Sequence, residues 1–266
     1  MNTNPIAPAP KRKGAIRKAD ISPEILQQLN CGEIEAVTLV ESLAIDYGQL
    51  LRSVAPEASA ETHRVMQSSM ALKIKARMQI SGEMLLANYG IEGLAPFIHH
   101  RSDTVRSWAA MAMGIAPNLS LAQRLDRIAD LADDPNAGVR EWAWMALRPH
   151  VIAELDRAIA FLSSWVVHAS PNLRRFATEV TRPRGVWCAH IPQLRQHPSL
   201  ALPLLNPLHA DPDRYVQNSV ANWLNDAAKS QPQFVRDRCA IWQAQSTSKA
   251  TQYICRRALR SLPSEP

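Results

Sequence analysis

The chain has 266 residues, of which 30 are Lys or Arg and 24 are Asp or Glu, so its formal net charge is +6 and an acidic partner is a reasonable first expectation. Its hydrophobic content of 46% is enough for a continuous core, and only 9 glycines favour helices over glycine-rich strands and turns. No run of 18 apolar residues occurs, which excludes a membrane span on length. The four cysteines are scattered without a Cys-x-x-Cys pair, which favours reduced thiols in a cytosolic protein over a disulfide framework or a zinc site.

The chain begins with the basic stretch MNTNPIAPAPKRKGAIRK, which has no apolar segment behind it and therefore does not resemble a secretory signal. We predict a disordered basic arm over residues 1–18, either a solvated tail or one that contacts phosphates. A single domain is predicted over residues 19–262, followed by a short tail over residues 263–266. We expect a cytoplasmic, nucleoid-associated monomer with no membrane contact and no obligate protein partner.

Five segments farther along the chain share one apolar pattern, and each predicts a helix. They align on a branched apolar residue, at spacings of 34, 34, 43 and 38 residues, and each carries a small apolar residue four positions later. The aligned pairs are Val105 and Ala109, Val139 and Ala143, Leu173 and Ala177, Val216 and Val220, and Ile254 and Ala258. A four-residue spacing places each pair on one buried stripe, with the small residue where a neighbouring helix comes close.

Helix starts are marked by a polar residue before a proline, at Ser22-Pro23, Asp134-Pro135, Ser170-Pro171 and Asp211-Pro212. Amphipathic stretches lie between the aligned segments, for example over residues 121–132 and 154–168, so the unit is a pair of helices. The Asp-x-x-Val-Arg start of the second helix resembles that of HEAT repeats. We therefore predict an all-α fold, a HEAT-like helical repeat solenoid (α-α superhelix) of about six helical pairs with a concave basic groove.

If the aligned residues face the core, helical geometry places another set of side chains together on the opposite, inner face. In the first segment this face carries only small residues, Ser107, Ala110 and Gly114. The second segment contributes Glu141, Trp144 and Arg148, the third Arg175, Thr178, Glu179 and Arg182, and the fourth Asn218, Ala221, Asn222 and Asn225. Arginine, tryptophan and asparagine suit phosphate and base contacts better than a random solvated face does.

Further arginines flank this face, and some of them have a second interpretation. Arg140, Arg174 and Arg214 lie in first turns, and Arg184 follows Arg182 in the stretch TRPRGVW. All of these are candidates for DNA binding. Because an arginine after valine also recurs in HEAT units as part of an internal ladder with aspartates, Arg140 and Arg174 could equally be structural.

The tryptophans divide into core and surface candidates. Trp108 and Trp142 flank the buried stripe, and Trp165 and Trp242 lie on intervening stretches, so packing explains them best. Trp144 and Trp187 are predicted to be exposed toward the groove. An electron-rich indole attracts a cation, and an alkylated purine is a cation, so Trp144, Trp187 and also Trp142 are candidates for contacting such a lesion. The histidines show no metal-ligand spacing.

Three stretches carry a closer resemblance: LRRFATEVTRPRGVW (173–187), DPDRYVQNSVANWLNDAAKSQPQFV (211–235) and CRRALRSL (255–262). They resemble the DNA alkylation repair superfamily of HEAT-like glycosylases, and its AlkC branch more than its AlkD branch. The resemblance implies a monofunctional enzyme that excises cationic 3-methyladenine-type lesions from double-stranded DNA without flipping the base into a pocket. It also implies that no metal or cofactor is needed.

By motif position, the resemblance makes Glu141, Glu179 and Asp226 the candidate catalytic carboxylates. A carboxylate near the deoxyribose could stabilise an oxocarbenium-like sugar and position a water, as in glycoside hydrolysis. Each of the three could instead form a structural ion pair with a nearby arginine.

Two departures from the family keep other functions open. The AlkD branch has a helical Trp followed four residues later by Asp, whereas here Ala112 and Ala146 stand four residues after Trp108 and Trp142. We also expect no immunoglobulin-like module of the kind that some AlkC proteins carry after the repeats. The alternatives are a non-catalytic protein that binds bent or branched DNA, or a protein-interaction scaffold.

Overall fold

A computed structural model describes residues 12–263, and within that range the chain is all-helical, with sixteen α-helices joined by short turns and 3₁₀ segments. None of the helices within 12–263 combines the length and the apolar character that crossing a membrane requires. The first eight helices are α1 (Pro23–Asn30), α2 (Leu39–Ala44), α3 (Tyr47–Val54), α4 (Ala60–Ser69), α5 (Ile74–Tyr89), α6 (Ala95–Ile98), α7 (Asp103–Ile115) and α8 (Leu121–Ala132). The other eight are α9 (Ala137–Ala153), α10 (Leu155–Leu162), α11 (Pro171–Val180), α12 (Pro192–Gln196), α13 (Leu202–Leu205), α14 (Arg214–Ala228), α15 (Pro232–Gln245) and α16 (Lys249–Ala258).

The all-helical, repeat-based fold that the sequence predicted is confirmed, and so is its buried stripe. The five aligned segments form α7, α9, α11, α14 and α16, and all ten aligned apolar residues are buried, the most exposed being Leu173 at 7%. Trp108, Trp165 and Trp242 are also buried, as packing predicted. Contacts divide the chain into two compact units, an N-terminal unit that ends at Trp108 and a C-terminal unit that begins at Ala109. The expectation of one domain stays a prediction.

Two of the four helix starts lie later than the sequence predicted. Ser22 and Ser170 cap α1 and α11, and each accepts a hydrogen bond from a first-turn amide. In contrast, α9 is capped by Asn136 and α14 by Asp213. Here the predicted caps, Asp134 and Asp211, accept the amide hydrogens of those capping residues and close a turn before the helix begins.

In the C-terminal unit, α9, α11, α14 and α16 pack against one another in sequence. Between α11 and α14, the buried hydroxyls of Thr178 and Ser219 are 2.6 Å apart, and the Trp223 indole donates to the carbonyl oxygen of Thr181. Small polar side chains let the two helices approach closely, and these buried hydroxyl and indole groups have hydrogen-bond partners. The same faces of these helices therefore lie side by side.

An internal ladder uses the arginine that follows the aligned branched residue. Arg106, Arg140 and Arg174 each donate from Nη1 to the carbonyl oxygens of the residues five and six positions earlier, over 2.5–3.1 Å. Arg174 also pairs with the buried Asp211 at 2.7 Å, and Arg140 donates to the Tyr215 hydroxyl. The sequence left two roles open for Arg140 and Arg174, DNA binding and an internal ladder. In the structure their guanidinium groups make the ladder contacts, at the start of the repeat helix.

The start of the described chain is packed against the N-terminal unit. Arg12 pairs with the buried Glu41 at 2.7 Å, and the Thr38 hydroxyl donates to the carbonyl oxygen of Ala15. The hydrogen bond and charge of Arg12, with two backbone amides, lower the pKa of Glu41 to about 2 although burial opposes this. Of the predicted disordered arm, residues 1–11 lie outside the described residues, and so do residues 264–266 of the predicted tail. Within residues 12–18, Arg12 and Ala15 make these contacts, and the disordered arm stays a prediction.

Candidate functional site

The three candidate carboxylates, which are as far as 85 residues apart in sequence, come together on one face of the C-terminal unit. Glu141 lies on α9, Glu179 on α11 and Asp226 on α14. Two arginines connect them, Arg175 on α11 and Arg182 just after it. We call these five residues the carboxylate cluster.

Arg175 joins the first two carboxylates. Its Nη2 lies 2.9 Å from Glu179 and 3.8 Å from Glu141, and its Nη1 donates to the carbonyl oxygen of Tyr215 at 2.9 Å. The guanidinium carbon also lies 4.0 Å from the centre of the Tyr215 ring. A cation–π contact and a backbone acceptor fix the orientation of this arginine as much as its ion pairs do.

Arg182 joins the last two carboxylates. It lies 3.3 Å from Glu179 and contacts one oxygen of Asp226 through both Nε (2.8 Å) and Nη2 (2.7 Å). Burial lowers the pKa of Arg182, but the charges of Glu179 and Asp226 outweigh it and the net pKa is raised. The side chains of Glu179 and Asp226 are only 3% and 7% exposed. Both carboxylates are therefore occupied in holding arginines.

Glu141 differs from the other two carboxylates because 45% of its side chain remains exposed. Its Oε2 accepts a hydrogen bond from the indole nitrogen of Trp144 at 2.9 Å. Surrounding protein atoms desolvate the carboxylate, and together with the charge of Glu179 they raise its pKa, against the opposing effects of Arg175 and the Trp144 bond. Glu141 is thus an oriented, accessible carboxylate with an elevated proton affinity.

A narrow recess lies beside Glu141. Residues from α9, α11 and α14 line it, including Trp144, Arg175, Glu179 and Tyr215, and its volume is about 10 Å³. A space of that size holds about one water molecule and is too small for a purine. The recess can therefore hold a water molecule near Glu141 but not a purine base.

A loop after α11 presents one exposed tryptophan. Trp187 is 58% exposed and has a φ of 61°, in the left-handed region that a bulky residue rarely adopts. The buried Arg148 holds the loop, because its three nitrogens donate to the carbonyl oxygens of Val180, Arg182 and Ala189 at 2.6–2.9 Å. At Gly185, an added Cβ would lie 3.1 Å from the Arg148 guanidinium, so the loop packs directly on that group.

Two predictions about this region need correction. Arg148 was expected on the inner surface, but it is 1% exposed, because its donors are directed to backbone carbonyls of the loop. Trp144 was expected to be exposed, but it is 5% exposed and its indole N–H orients Glu141. Trp142 is half-buried, and only Trp187 of the three has the exposure that was expected of a lesion contact.

The remaining predicted residues lie farther along the same row of helices. Arg184 donates to the carbonyl oxygen of Asp226 and to the Ser230 hydroxyl, over 3.3 and 2.7 Å. Arg214 is exposed, whereas Asn218 and Asn222 are half-buried. The oxygens of the two asparagines accept hydrogen bonds from α16 and the turn after it, Asn218 from Tyr253 and Asn222 from Arg260.

Four functional candidates were missed: Tyr253, Arg256, Arg257 and Arg260. The sequence analysis predicted inner-face residues for the first four repeats but not for the fifth, which begins near Ile254. The offsets that place Glu141 two residues after Val139 would place Arg256 two residues after Ile254, and Arg260 six residues after it matches Asn222 in the preceding repeat. The signal was therefore present in the sequence.

Two solved structures have a similar arrangement of helices. An alkylpurine DNA glycosylase, AlkC from Pseudomonas fluorescens bound to DNA containing an abasic site analog, matches with a TM-score of 0.67 and 24% identity over 92% of this chain. AlkD2 from Streptococcus mutans matches with a TM-score of 0.54 and 20% identity over 77% of this chain and 89% of its own. The chain has the AlkC/AlkD fold. It spans 64% of the length of that AlkC chain.

Sequence comparison adds one relative. The Bacillus subtilis protein YhaZ, described as uncharacterized, is 38% identical over 117 residues, which are 44% of this chain and 32% of that protein. The chain thus spans about a third of this relative. No family model matches the sequence. Structural similarity therefore shows the AlkC/AlkD fold.

Proposed function

We propose that this protein is an alkylpurine DNA glycosylase that excises cationic N3- or N7-alkylated purines, of the 3-methyladenine type, from duplex DNA. The observation that carries the proposal is Glu141: an accessible carboxylate, oriented by an indole N–H, next to a water-sized recess on a face rich in arginine. The AlkC/AlkD fold supports it, since the solved neighbours with this fold include an enzyme named for the same activity.

The proposed reaction needs a carboxylate and a water molecule near the deoxyribose, and Glu141 and its recess can provide both. Alkylation at N3 or N7 makes the purine a cation, so it leaves as a neutral base when the C1′–N bond breaks and takes the bonding electron pair with it. The sugar becomes oxocarbenium-like, and the negative charge of Glu141 stabilises it. Water held beside Glu141 then attacks C1′ and transfers its proton to the carboxylate.

Glu179 and Asp226 have a different role in this proposal. Both are nearly buried and are ion-paired to Arg175 and Arg182, so they act as positioning residues that hold the two arginines beside Glu141. Arg175, Arg182 and Arg184 keep partial exposure, and we assign them to the DNA backbone near the lesion. The proposal therefore assigns catalysis to one carboxylate and support to two.

Trp187 is the residue we assign to the lesion. Its indole is exposed on a loop held by Arg148, and an indole face attracts the positive charge that distinguishes an alkylated purine from a normal one. A contact of this kind would select for charge without enclosing the base, which agrees with the small size of the recess beside Glu141.

The direct test is release of free base from a methylated duplex. We expect the wild-type protein to release 3-methyladenine, and Glu141→Gln to lose most of that release while it still binds DNA. Glu154→Gln is a matched control, because Glu154 ends the same helix but only pairs with the exposed Arg157, and we expect it to match wild type. A wild-type protein that releases no methylated base, or a Glu141→Gln variant that matches wild type, would refute the proposal.

A second candidate is a non-catalytic DNA-binding protein. It is favoured by one observation: two of the three candidate carboxylates are nearly buried in ion pairs and resemble structural groups. Tight binding of duplex DNA together with no release of any methylated base would select this alternative.

A further inference from the structure

At the α16 end of the same row of helices, three arginines surround one aromatic ring. The guanidinium carbon of Arg214 lies 3.6 Å from the centre of the Tyr253 ring, and those of Arg257 and Arg256 lie at 5.6 and 5.7 Å. Arg260 follows one turn later and donates to the carbonyl oxygen of Arg257. We call Arg214, Arg256, Arg257 and Arg260, together with Tyr253, the arginine cluster.

No guanidinium group of the arginine cluster is ion-paired with a carboxylate in the part of the chain that the structure describes. Within residues 12–263, none of its four guanidinium groups lies within 4.0 Å of a carboxylate, whereas Arg174, Arg175 and Arg182 all do. Like charges brought this close repel one another. Burial lowers the pKa of Arg260 most, and the charge of Arg257 lowers it further. An anion would relieve the repulsion.

The cluster is also ordered and accessible. Arg214, Arg256 and Arg260 are exposed and Arg257 is partly so, while the Tyr253 hydroxyl is fixed by a 2.7 Å hydrogen bond to Asn218. Asn222 similarly accepts from Arg260 at 3.0 Å. Arg214 stacks on the Tyr253 ring, and Arg256 and Arg257 lie within cation–π distance of it. A cation–π contact uses no N–H donor, so these guanidinium groups can still donate to another partner.

We propose that the arginine cluster binds consecutive phosphates of the DNA backbone and is the protein's main electrostatic anchor on the duplex. Guanidinium groups without carboxylate partners match the forked geometry of phosphate oxygens. Asn218 and Asn222 connect the cluster to the lesion site, since Asn222 lies one helical turn before Asp226 on α14. The inference rests on the duplex partner of the proposed function but not on its chemistry.

The position of the cluster favours a DNA backbone over a free anion. Arg260 donates to Asn222, which lies one turn before Asp226 on α14, so the arginine cluster lies next to the carboxylate cluster. A duplex that places a nucleotide at Glu141 extends its phosphates along the same row of helices. A free phosphate would gain nothing from this adjacency.

The test is the salt dependence of binding to an undamaged duplex. Each phosphate contact contributes about one unit to the slope of log Kd against log salt. For Arg256→Ala/Arg260→Ala we expect the slope to fall by about two relative to wild type, with at least a tenfold loss of affinity at low salt. Arg64→Ala/Arg157→Ala removes the same charge from exposed arginines that pair with carboxylates, and we expect it to keep the wild-type slope within about half a unit.

The outcomes separate this inference from the proposed function. An unchanged slope in Arg256→Ala/Arg260→Ala would overturn the anchor and leave the glycosylase proposal intact. A reduced slope with no base release by wild type would support the anchor and refute the glycosylase. Inorganic phosphate that competes far better than chloride at equal ionic strength would show a free-anion site and overturn the assignment to DNA. The matched variant Arg256→Lys/Arg260→Lys keeps the charge and should keep most of the slope, which excludes misfolding as the cause.

Discussion

The carboxylate cluster and the arginine cluster lie on neighbouring helices and are built from the same residue type, yet their arginines have opposite surroundings. Arg175 and Arg182 are each within 4.0 Å of two carboxylates, and both are only 16% exposed. Arg256 and Arg260 are exposed and pair with no carboxylate among residues 12–263. Arginines that hold carboxylates are fixed in place beside Glu141, whereas arginines without a carboxylate partner keep their whole charge available to phosphate.

We expect the largest loss of stability when an arginine of the carboxylate cluster is replaced by alanine. Arg182→Ala would leave the nearly buried Asp226 without its main partner and Glu179 with Arg175 alone, so we expect the free energy of unfolding to fall by about 3 kcal/mol. The same change at Arg256 should lie within about 0.5 kcal/mol of wild type. Urea unfolding of both variants measures the difference, and equal losses would remove the distinction between the two clusters.

A smaller loss is expected from the arginine that holds the Trp187 loop. Arg148→Met removes donors to three carbonyl oxygens, so the loop should open more often, and we expect base release to fall about tenfold. Trypsin reports the opening, because the Arg184–Gly185 bond lies in this loop. We expect faster cleavage there in Arg148→Met and an unchanged rate in Arg157→Ala. A loop as resistant as that of wild type would contradict the positioning role.

Trp187→Ala tests the lesion contact itself. A cation–π contact contributes about 1–2 kcal/mol when desolvated, so we expect about a tenfold loss of 3-methyladenine release. Binding to undamaged duplex should stay close to wild type, because the arginine cluster supplies that affinity. An equal loss of undamaged binding would show that Trp187 belongs to the anchor and not to the lesion site.

The smallest effect concerns pH. The pKa of Glu141 lies above the ordinary glutamate value, and the ionised form is the active one, so base release should fall as the pH drops through that raised pKa. The Trp144 hydrogen bond lowers the pKa, so Trp144→Phe should move the acid limb of the pH–rate profile to higher pH. A shift to lower pH would contradict the orientation of Glu141 that the structure shows.

The same pKa has a consequence for stability. Because the folded protein binds the Glu141 proton more tightly than the unfolded chain does, this group stabilises the fold below the ordinary glutamate pKa and loses that contribution as pH rises through the folded pKa. At neutral pH, Glu141→Gln should therefore raise the thermal midpoint slightly. A clear decrease would indicate a structural role for this carboxylate instead.

The sequence predicted most of the fold because the buried stripe is a local pattern. Spacing alone placed Val139 and Ala143 in the core, and it placed Glu141 and Glu179 on one face. It could not predict that Arg174 pairs with Asp211, or that Arg148 donates to the loop after α11, because those partners lie 32–41 residues away. Whether an arginine binds phosphate is decided by such distant neighbours.

The sequence predicted which residues belong to the candidate site better than it predicted what each of them does. The resemblance selected three carboxylates, and the structure brings all three together, but only their exposure separates Glu141 from Glu179 and Asp226. Trp144 was correctly predicted to lie beside Glu141 but wrongly predicted to be exposed. An indole one turn after Glu141 can either face solvent or donate to the carboxylate, and the sequence does not distinguish the two.

Single-turnover base release at saturating protein tests the division of labour between the two clusters most directly. We predict that Glu141→Gln stays at least about 100-fold slower than wild type at saturation, since it lacks the charge that stabilises the sugar. Arg256→Ala/Arg260→Ala should recover the wild-type rate once enough protein is added, since it lacks only affinity. Full recovery by Glu141→Gln, or a persistent deficit in the arginine variant, would contradict the account.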